Sequence, residues 1–322
     1  MSEAFTLSYP ISSVTWDGSK IRRLPEAEIS QSLDLMQRCG IHEVMITGYH
    51  VEEEADFDMD AETRRLGAEL QRREMVAAQH HGLSATYAPA GLPQQEAVAH
   101  LCRCVDYTAN LGARTLVLHS GRCLGRFAGV AAAIACFESE CARLGRQRVI
   151  EICAENLRAA GDYARERGVL IAFENLDRFE PLGNLAELPQ LLALADSPAV
   201  GFCLDSGHAH CAGNDPVKWV EVMGDKVFTT HFHDNHGPSE EVRKTTGFVT
   251  PKGIDEHLPP GFGTLSWVDL IIALTKSGYA RTVNFESGAW PGWEAEEGLN
   301  LAIKYWRTSE HLAAAKLAKQ AK

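Results

Sequence analysis

The sequence predicts an α/β fold, a single (β/α)8 barrel over residues 1–322. Apolar runs of strand length alternate about eight times with amphipathic helical runs. No linker or low-complexity segment divides them. Polar residues that could carry chemistry follow the apolar runs, as they do at the carboxyl ends of barrel strands. A doubly wound open sheet shares the local pattern and is the alternative fold.

Eight apolar runs bounded by polar or turn residues are the candidate strands. They are Phe5–Tyr9, Glu43–Thr47, Leu83–Tyr87, Thr115–His119, Leu170–Glu174, Val200–Asp205, Val227–His231 and Thr282–Glu286.

Helical patterns fill the intervals between the strands. One helix is predicted over Glu26–Arg38, with its stop at Cys39 and Gly40, and another over Ala61–Gln79, ending near Gly82. Asp215 and Pro216 are a cap residue and a first-turn proline, and they predict a helix before the seventh strand. The stretch Trp293–Lys322 predicts a C-terminal helix with a solvated tail, for which a subunit contact is the alternative.

Composition excludes several classes of protein. The formal net charge of -12 would repel a phosphate backbone, so nucleic acid is not an expected partner. No uncharged apolar stretch approaches the roughly 20 residues of a membrane helix. The nine cysteines are an odd number without zinc-finger spacing, which predicts free thiols in a reducing compartment. We therefore expect a cytoplasmic protein without a membrane partner.

Four consecutive candidate strands end in a carboxylate or an imidazole, namely Glu174, Asp205, His231 and Glu286. Three carboxylates at one barrel mouth would repel one another, and a divalent cation removes that penalty. An oxygen-rich set with one nitrogen suits Mn2+, Mg2+ or Co2+ better than a structural zinc site, although Zn2+ could compete.

Five segments resemble the xylose isomerase-like (β/α)8 barrel superfamily, the sugar phosphate isomerase/epimerase family. They are Phe-Glu-Asn-Leu at 173–176, Leu-Asp-Ser-Gly-His-Ala-His at 204–210, His-Phe-His-Asp-Asn at 231–235, His-Leu-Pro-Pro-Gly-Phe-Gly-Thr-Leu-Ser-Trp at 257–267 and Asn-Phe-Glu-Ser at 284–287. The motifs cover the second half of the chain, and the first half resembles the family only in its alternating pattern.

The resemblance implies that Glu174, Asp205, His231 and Glu286 bind one catalytic divalent metal, with Mn2+ as the expected ion. It implies that the two glutamates act as acid and base through a metal-stabilised enediolate, and that His208 and Glu180 contact substrate hydroxyls. The implied activity is isomerisation or epimerisation of a small carbohydrate: a ketose, a sugar phosphate or a keto-sugar. The implied assembly is a homo-oligomer, a dimer or a tetramer.

Further residues are candidates for substrate binding. They are His119, His233, His257, Trp16 and Trp290. His233 could exchange roles with His231, which is favoured as the ligand because Asp234 then falls three residues later, as in the family pattern. Asp255 and His257 match a ligand pair that the related apurinic endonuclease branch uses for additional zinc ions. We expect Asp255, however, to be a polar loop residue (loop polarity) and not a ligand.

Two departures from the epimerase pattern keep other functions open. Gly237 stands where an arginine is expected, and Phe262 replaces the acid of a Pro-Gly-Glu-Gly loop. A lyase or dehydratase that acts on a keto-sugar or oxidised glycoside would use the same site. A nuclease is disfavoured by the net charge and by Tyr87 at the expected end of strand three, where that branch has a histidine. A noncatalytic sugar-binding barrel is the remaining alternative.

Overall fold

The computed structural model describes residues 4–16, 20–50, 55–83, 85–125, 130–176, 181–238, 255–287 and 293–321. Their strands are β1 (Leu7–Ser12), β2 (Val14–Trp16), β3 (Ile21–Arg23), β4 (Glu43–His50), β5 (Val76–Leu83), β6 (Thr115–Leu118), β7 (Leu170–Glu174), β8 (Val200–Asp205), β9 (Val227–His231) and β10 (Val283–Asn284).

Eight of these strands form one parallel sheet in the order β10-β1-β4-β5-β6-β7-β8-β9, and β2 and β3 form a separate antiparallel pair. Backbone hydrogen bonds close the sheet beyond β9. The Phe232 N–H donates to the Asn284 carbonyl at 2.8 Å, and the Glu286 N–H donates to the Phe232 carbonyl at 3.0 Å. The predicted barrel is confirmed, and the open sheet is excluded.

Helices cover the outside of the sheet. They are α1 (Glu26–Arg38), α2 (Met59–Arg72), α3 (Gln94–Asn110), α4 (Val130–Leu144), α5 (Arg146–Glu166), α6 (Leu188–Ala195), α7 (Ser206–Cys211), α8 (Pro216–Met223), α9 (Trp267–Ser277) and α10 (Ala295–Gln320), with a 3-10 turn at Gly224–Lys226. Within the described residues, none of the helices combines the length and the apolar composition that a membrane crossing requires.

The predicted bounds of α1, β7, β8 and β9 match the structure residue for residue. The Asp215 side chain caps α8 by accepting the Val217 N–H at 2.9 Å, as predicted. The C-terminal helix is also present, and its buried Trp306 packs against Phe232 and Trp267, which lie beside the last barrel strands. All nine cysteines lie in the described part of the chain, and no disulfide bond joins any of them.

The third strand of the barrel was predicted at the wrong place, over Leu83–Tyr87. The structure has β5 at Val76–Leu83, which overlaps the last four residues of the predicted helix Ala61–Gln79, and it places Tyr87 after that strand. The helix ends early because Glu74 takes a positive φ of 57°, and the Met75 N–H turns back to the Leu70 carbonyl at 2.9 Å. This correction brings His81 to the end of a barrel strand.

Candidate metal centre

The four predicted ligands meet at one end of the barrel. Glu174, Asp205 and His231 are the last residues of adjacent strands β7, β8 and β9, and Glu286 follows β10. The His231 Nδ1 lies 3.1 Å from Glu174 Oε2 and 3.1 Å from Glu286 Oε2. One ligand atom from each of the four lies within 4.8 Å of the others. Parallel strands thus deliver the set, since their carboxyl ends share an edge.

The polar atoms of this group face imidazoles but are not fully satisfied by them. Both oxygens of Glu174, both ring nitrogens of His231 and the Asp205 Oδ2 are buried. The Glu174 oxygens, the His231 Nδ1 and the Asp205 Oδ2 meet neighbouring side chains in ion-pair contacts of 2.9 to 3.6 Å rather than in hydrogen bonds of good geometry. Buried polar atoms are nearly always satisfied, so atoms left over in one place need a common partner. Three carboxylates and one imidazole are suitable ligands for a divalent cation, and the residues therefore fit one.

Without a metal, protonated imidazoles balance the carboxylates. Burial acts to raise the pKa of Glu174, but the charge of His231 and a hydrogen bond from His119 hold it well below its usual range. Burial also acts to raise the pKa of Glu286, and His231 lowers it to about 2. The pKa of His231 is raised well above its usual value against the effect of burial, by the negative charges of Glu286 and Glu174. Glu174 and Glu286 are therefore ionised at neutral pH.

His81 and His119 extend the group on the side of Glu174. Each Nε2 lies 3.4 Å from Glu174 Oε2. Arg122 donates a hydrogen bond to Nδ1 of His119 at 3.1 Å. A neutral imidazole that accepts at Nδ1 carries its hydrogen on Nε2. In this arrangement His119 donates to the Glu174 carboxylate and does not offer it a lone pair.

A second group of ligand-type side chains lies beside the first. It contains His208, His233, Asp255 and His257, with ligand atoms within 4.8 Å of one another. The Asp255 Oδ2 lies 3.0 Å from His257 Nε2 and 3.4 Å from His208 Nε2. Asp255 is thus part of the site, and the expectation that it is only loop polarity is wrong.

The two outer histidines of this group have the tautomer that a metal ligand needs. The Nδ1 of His257 donates to the Glu286 carbonyl at 2.7 Å. The Nδ1 of His208 faces two acceptors, Glu174 Oε1 at 2.9 Å and the Asn175 carbonyl at 3.2 Å. The hydrogen of each neutral ring is therefore on Nδ1, and Nε2 faces Asp255. In the metal-free protein burial opposes protonation, but Asp255 raises the pKa of His257 to about 9.

His233 lies between the two groups. Its Nε2 is 3.0 Å from Asp205 Oδ1, and its ring stacks on His257 with centroids 4.0 Å apart. Gly207 makes room for it, since a Cβ at position 207 would lie 1.9 Å from Cε1 of His233. The structure thus gives His231 and His233 different neighbours, and only His231 contacts both Glu174 and Glu286.

Three of the predicted substrate contacts cannot be placed relative to the site. Glu180, Trp290 and the side chain of Trp16 lie outside the described residues. Sequence reasoning missed His81, because the predicted helix ran to Gln79 and the predicted strand began only at Leu83. The pair His80-His81 before Gly82 was the available signal, since it comes shortly after the apolar run Val76-Ala77-Ala78.

Comparisons with known proteins agree with the fold. Residues 33–309 match the family model of the xylose isomerase-like TIM barrel. Curated relatives match 84 to 131 residues, and this chain covers 13% to 39% of their lengths. One is a 3-dehydroshikimate dehydratase of Pseudomonas putida, 31% identical over 84 residues, which are 26% of this chain and 13% of that protein.

Two solved structures show the same fold over nearly the whole chain. An L-ribulose 3-epimerase superposes with a TM-score of 0.68 at 15% identity and covers 98% of each chain. The IOLI protein with a bound zinc atom superposes with a TM-score of 0.61 at 16% identity, over 96% of this chain and 98% of that one. At these identities the likeness shows the fold alone.

Proposed function

Because the chain belongs to the xylose isomerase-like TIM barrel family, we propose that it is a divalent-metal-dependent isomerase or epimerase of a small carbohydrate. The observation that carries the proposal is the pair of carboxylates, Glu174 and Glu286, each 3.1 Å from the same nitrogen of His231. Two such groups at one mouth can remove a proton next to a carbonyl and return it. The epimerase among the structural neighbours supports this class of reaction.

Glu174, Asp205, His231 and Glu286 would hold the metal ion, for which we propose Mn2+. When bound, a divalent cation supplies Lewis-acid stabilisation of the negative charge that develops on substrate oxygens. Glu286 has a side chain that is 20% exposed, whereas Glu174 is fully buried. Glu286 is therefore the carboxylate that a substrate reaches first, and we assign it the role of base. His208 and His257 would donate hydrogen bonds to substrate oxygens.

A deuterium exchange experiment tests the proposal. Mn2+-loaded protein is incubated in D2O with ketoses, sugar phosphates, inososes and 3-keto-glycosides. Deuterium at the carbon next to a carbonyl, with the skeleton retained, is the expected result. Deuterium with loss of a fragment would replace the proposal with a lyase, the class of the matched dehydratase. If no member of the panel gains deuterium, both the isomerase proposal and the lyase alternative are contradicted.

Glu286→Gln is the matching variant, because it keeps the shape of the side chain and removes the base. We expect exchange to fall at least about 100-fold, as general bases contribute on that scale. Asp269→Asn is the control. Asp269 is an exposed carboxylate on α9 that pairs with Lys316 at 2.7 Å, away from the site. Normal exchange in Glu286→Gln would rule out its role as base.

A second candidate function is hydrolysis of a phosphodiester by more than one metal ion. The observation that favours it is the second group, in which His208 and His257 turn Nε2 toward Asp255. In addition, β5, the third strand of the barrel, carries His81 near its carboxyl end. The argument against a nuclease that was based on Tyr87 at this position is therefore wrong. The net charge of -12 still argues against a DNA-binding surface. Cleavage of an abasic-site oligonucleotide, with two or more ions per chain, would favour this candidate over the isomerase.

A further inference from the structure

We infer that Asp234 is the positioning residue that fixes residues 255–266, here called the wall segment, against the metal centre. The inference deepens the proposed function and rests on it for its kinetic test. The wall segment brings Asp255 and His257 to the site and ends where α9 begins at Trp267. Asp234 itself follows β9 by three residues and is completely buried.

The Asp234 carboxylate accepts four N–H groups. Its Oδ1 accepts the backbone N–H of Asn235 at 3.0 Å and that of Leu265 at 3.1 Å. Its Oδ2 accepts the backbone N–H of Gly261 at 3.0 Å and the Trp267 indole N–H at 2.9 Å. Three of these four donors belong to the wall segment or to the residue directly after it. The carboxylate thus binds the wall segment at two positions and the first residue of α9 at a third.

The backbone of Asp234 holds the same segment from a second direction. Its N–H donates to the Leu258 carbonyl at 2.6 Å, and the Leu258 N–H donates back to the Asp234 carbonyl at 2.9 Å. Leu258 is the neighbour of His257. A displacement of this pairing therefore moves the histidine that contacts Asp255.

Glycine at position 263 is required by this arrangement. A Cβ there would lie 2.3 Å from the Asp234 Oδ1 and 2.4 Å from the Asn235 carbonyl oxygen. The chain therefore passes so close to the carboxylate that no side chain fits. This contact gives a physical reason for the second glycine of the Pro-Gly-Phe-Gly sequence.

The wall segment in turn supports the groups of the site. The His257 ring donates to the Glu286 carbonyl at 2.7 Å and stacks on His233. Asp255 lies between His257 and His208. Among the described residues, the Asp234 carboxylate bonds to Asn235, Gly261, Leu265 and Trp267 and to none of these side chains, so it acts through the backbone that carries them. It is a positioning residue and not a catalytic one.

Only a carboxylate satisfies all four donors. An asparagine at position 234 has one acceptor oxygen, and whichever way its amide turns, its NH2 group faces two N–H donors. In one orientation Gly261 and Trp267 lose their acceptor, and in the other Asn235 and Leu265 lose theirs. Asp234→Asn keeps the volume of the side chain and loosens the wall segment. Trp267→Phe removes a single donor and keeps an aromatic ring.

The test compares Asp234→Asn and Trp267→Phe with the control Asp162→Asn, an exposed carboxylate of α5 that lies 3.7 Å from Arg165, each below its melting temperature. For Asp234→Asn we expect kcat/KM per folded molecule to fall on the order of 100-fold, the size of a misplacement of about 1 Å in a reacting group. Trp267→Phe should give a smaller loss, and Asp162→Asn none. Amide hydrogen exchange over 255–266 should accelerate in the same order, with the barrel strands unchanged.

A lowered melting temperature in both variants, with kcat, KM and exchange of the wall segment unchanged, would overturn the inference, because a merely structural residue behaves in that way. If Asp234→Asn does not fold, Trp267→Phe alone decides by the same criteria. If the wild-type protein shows no activity on the panel, the proposed function fails. Hydrogen exchange of the wall segment then still decides the role of Asp234.

Discussion

The stability of the metal-free protein should fall with rising pH between about 6.5 and 9. The reason is His257, whose pKa is raised from 6.5 to about 9 by its hydrogen bond and charge interaction with Asp255, although burial opposes the rise. A group with a raised folded-state pKa stabilises the fold fully below its unfolded-state pKa. That stability is lost as the pH rises through the folded-state pKa.

The size of the effect follows from the shift. A rise from 6.5 to about 9 is worth at most about 3.5 kcal/mol, at roughly 1.4 kcal/mol per pKa unit. The His257 side chain is 33% exposed, and solvent screens part of the interaction. We therefore expect His257 to contribute a loss of about 1 to 2 kcal/mol in the free energy of unfolding. His208 and His231 also have raised pKa values, and they act in the same direction.

Urea denaturation of chelator-treated protein at pH 6.5, 7.5, 8.5 and 9 measures this loss. Mn2+-loaded protein is the first comparison, and its stability should change less, because His231 is already neutral when it binds the metal, whereas the contribution of His257 remains. Asp255→Asn is the second comparison, and it should reduce the pH dependence of the metal-free protein. A metal-free stability that is constant or rises over this range, or a slope that is the same in Asp255→Asn, would refute the reasoning.

Three further results are expected. Metal binding should release at least one proton per ion at pH 7, because the pKa of His231 is raised in the metal-free protein, and calorimetry in buffers of different ionisation enthalpy measures this release. His119→Ala should leave the number of bound ions per chain unchanged in elemental analysis, since His119 is hydrogen-bonded to Arg122 in the tautomer that donates to Glu174; a lower number would make it a ligand. Gly207→Ala should cost about 1 to 3 kcal/mol in chemical denaturation, because its Cβ would lie 1.9 Å from His233, and a neutral effect would contradict that placement.

The second half of the barrel was predictable because its strands are buried from end to end. All six residues of Val200–Asp205 and all five of Val227–His231 are buried, so an apolar run marks the whole strand and the first charged or imidazole side chain marks its end. The same rule identified Glu174. The sequence thus predicted the four candidate ligands together with the fold.

The third strand of the barrel, β5, was not predictable in this way, because it points a polar side chain into the barrel. Gln79 is fully buried inside the barrel and accepts a hydrogen bond from Thr229 at 2.6 Å. Its neighbours Ala77 and Ala78 suit a helix, so the pattern of α2 continued through them. Three consecutive charged residues at 72–74 were the signal of the break.

The second ligand group depends on a contact distant in sequence. The wall segment returns to the site only because Leu258 pairs with Asp234, and no periodicity encodes that pairing. The expectation that Asp255 is loop polarity failed for this reason. The Asp255-Glu256-His257 spacing alone could not show which strand ends the two side chains face.

The number of metal ions and the reaction are linked by charge. Glu174, Asp205, Asp255 and Glu286 are four carboxylates in one buried region, and in the metal-free protein three histidines with raised pKa values oppose them. One divalent ion bound through His231 displaces only that proton. His208 and His257 then stay protonated and can donate to substrate oxygens, as the isomerase proposal requires.

A second ion bound through the Nε2 atoms of His208 and His257 would displace both of those protons as well. The site would then lose its two imidazolium donors and gain a cation, which suits phosphodiester hydrolysis better than proton transfer at carbon. The protonation of His208 and His257 in protein loaded with a diamagnetic ion, Mg2+ or Zn2+, measured by NMR of the imidazole nitrogens, therefore decides between the two functions. Imidazolium signals at pH 7 support the isomerase, and neutral rings with a metal shift support the hydrolase.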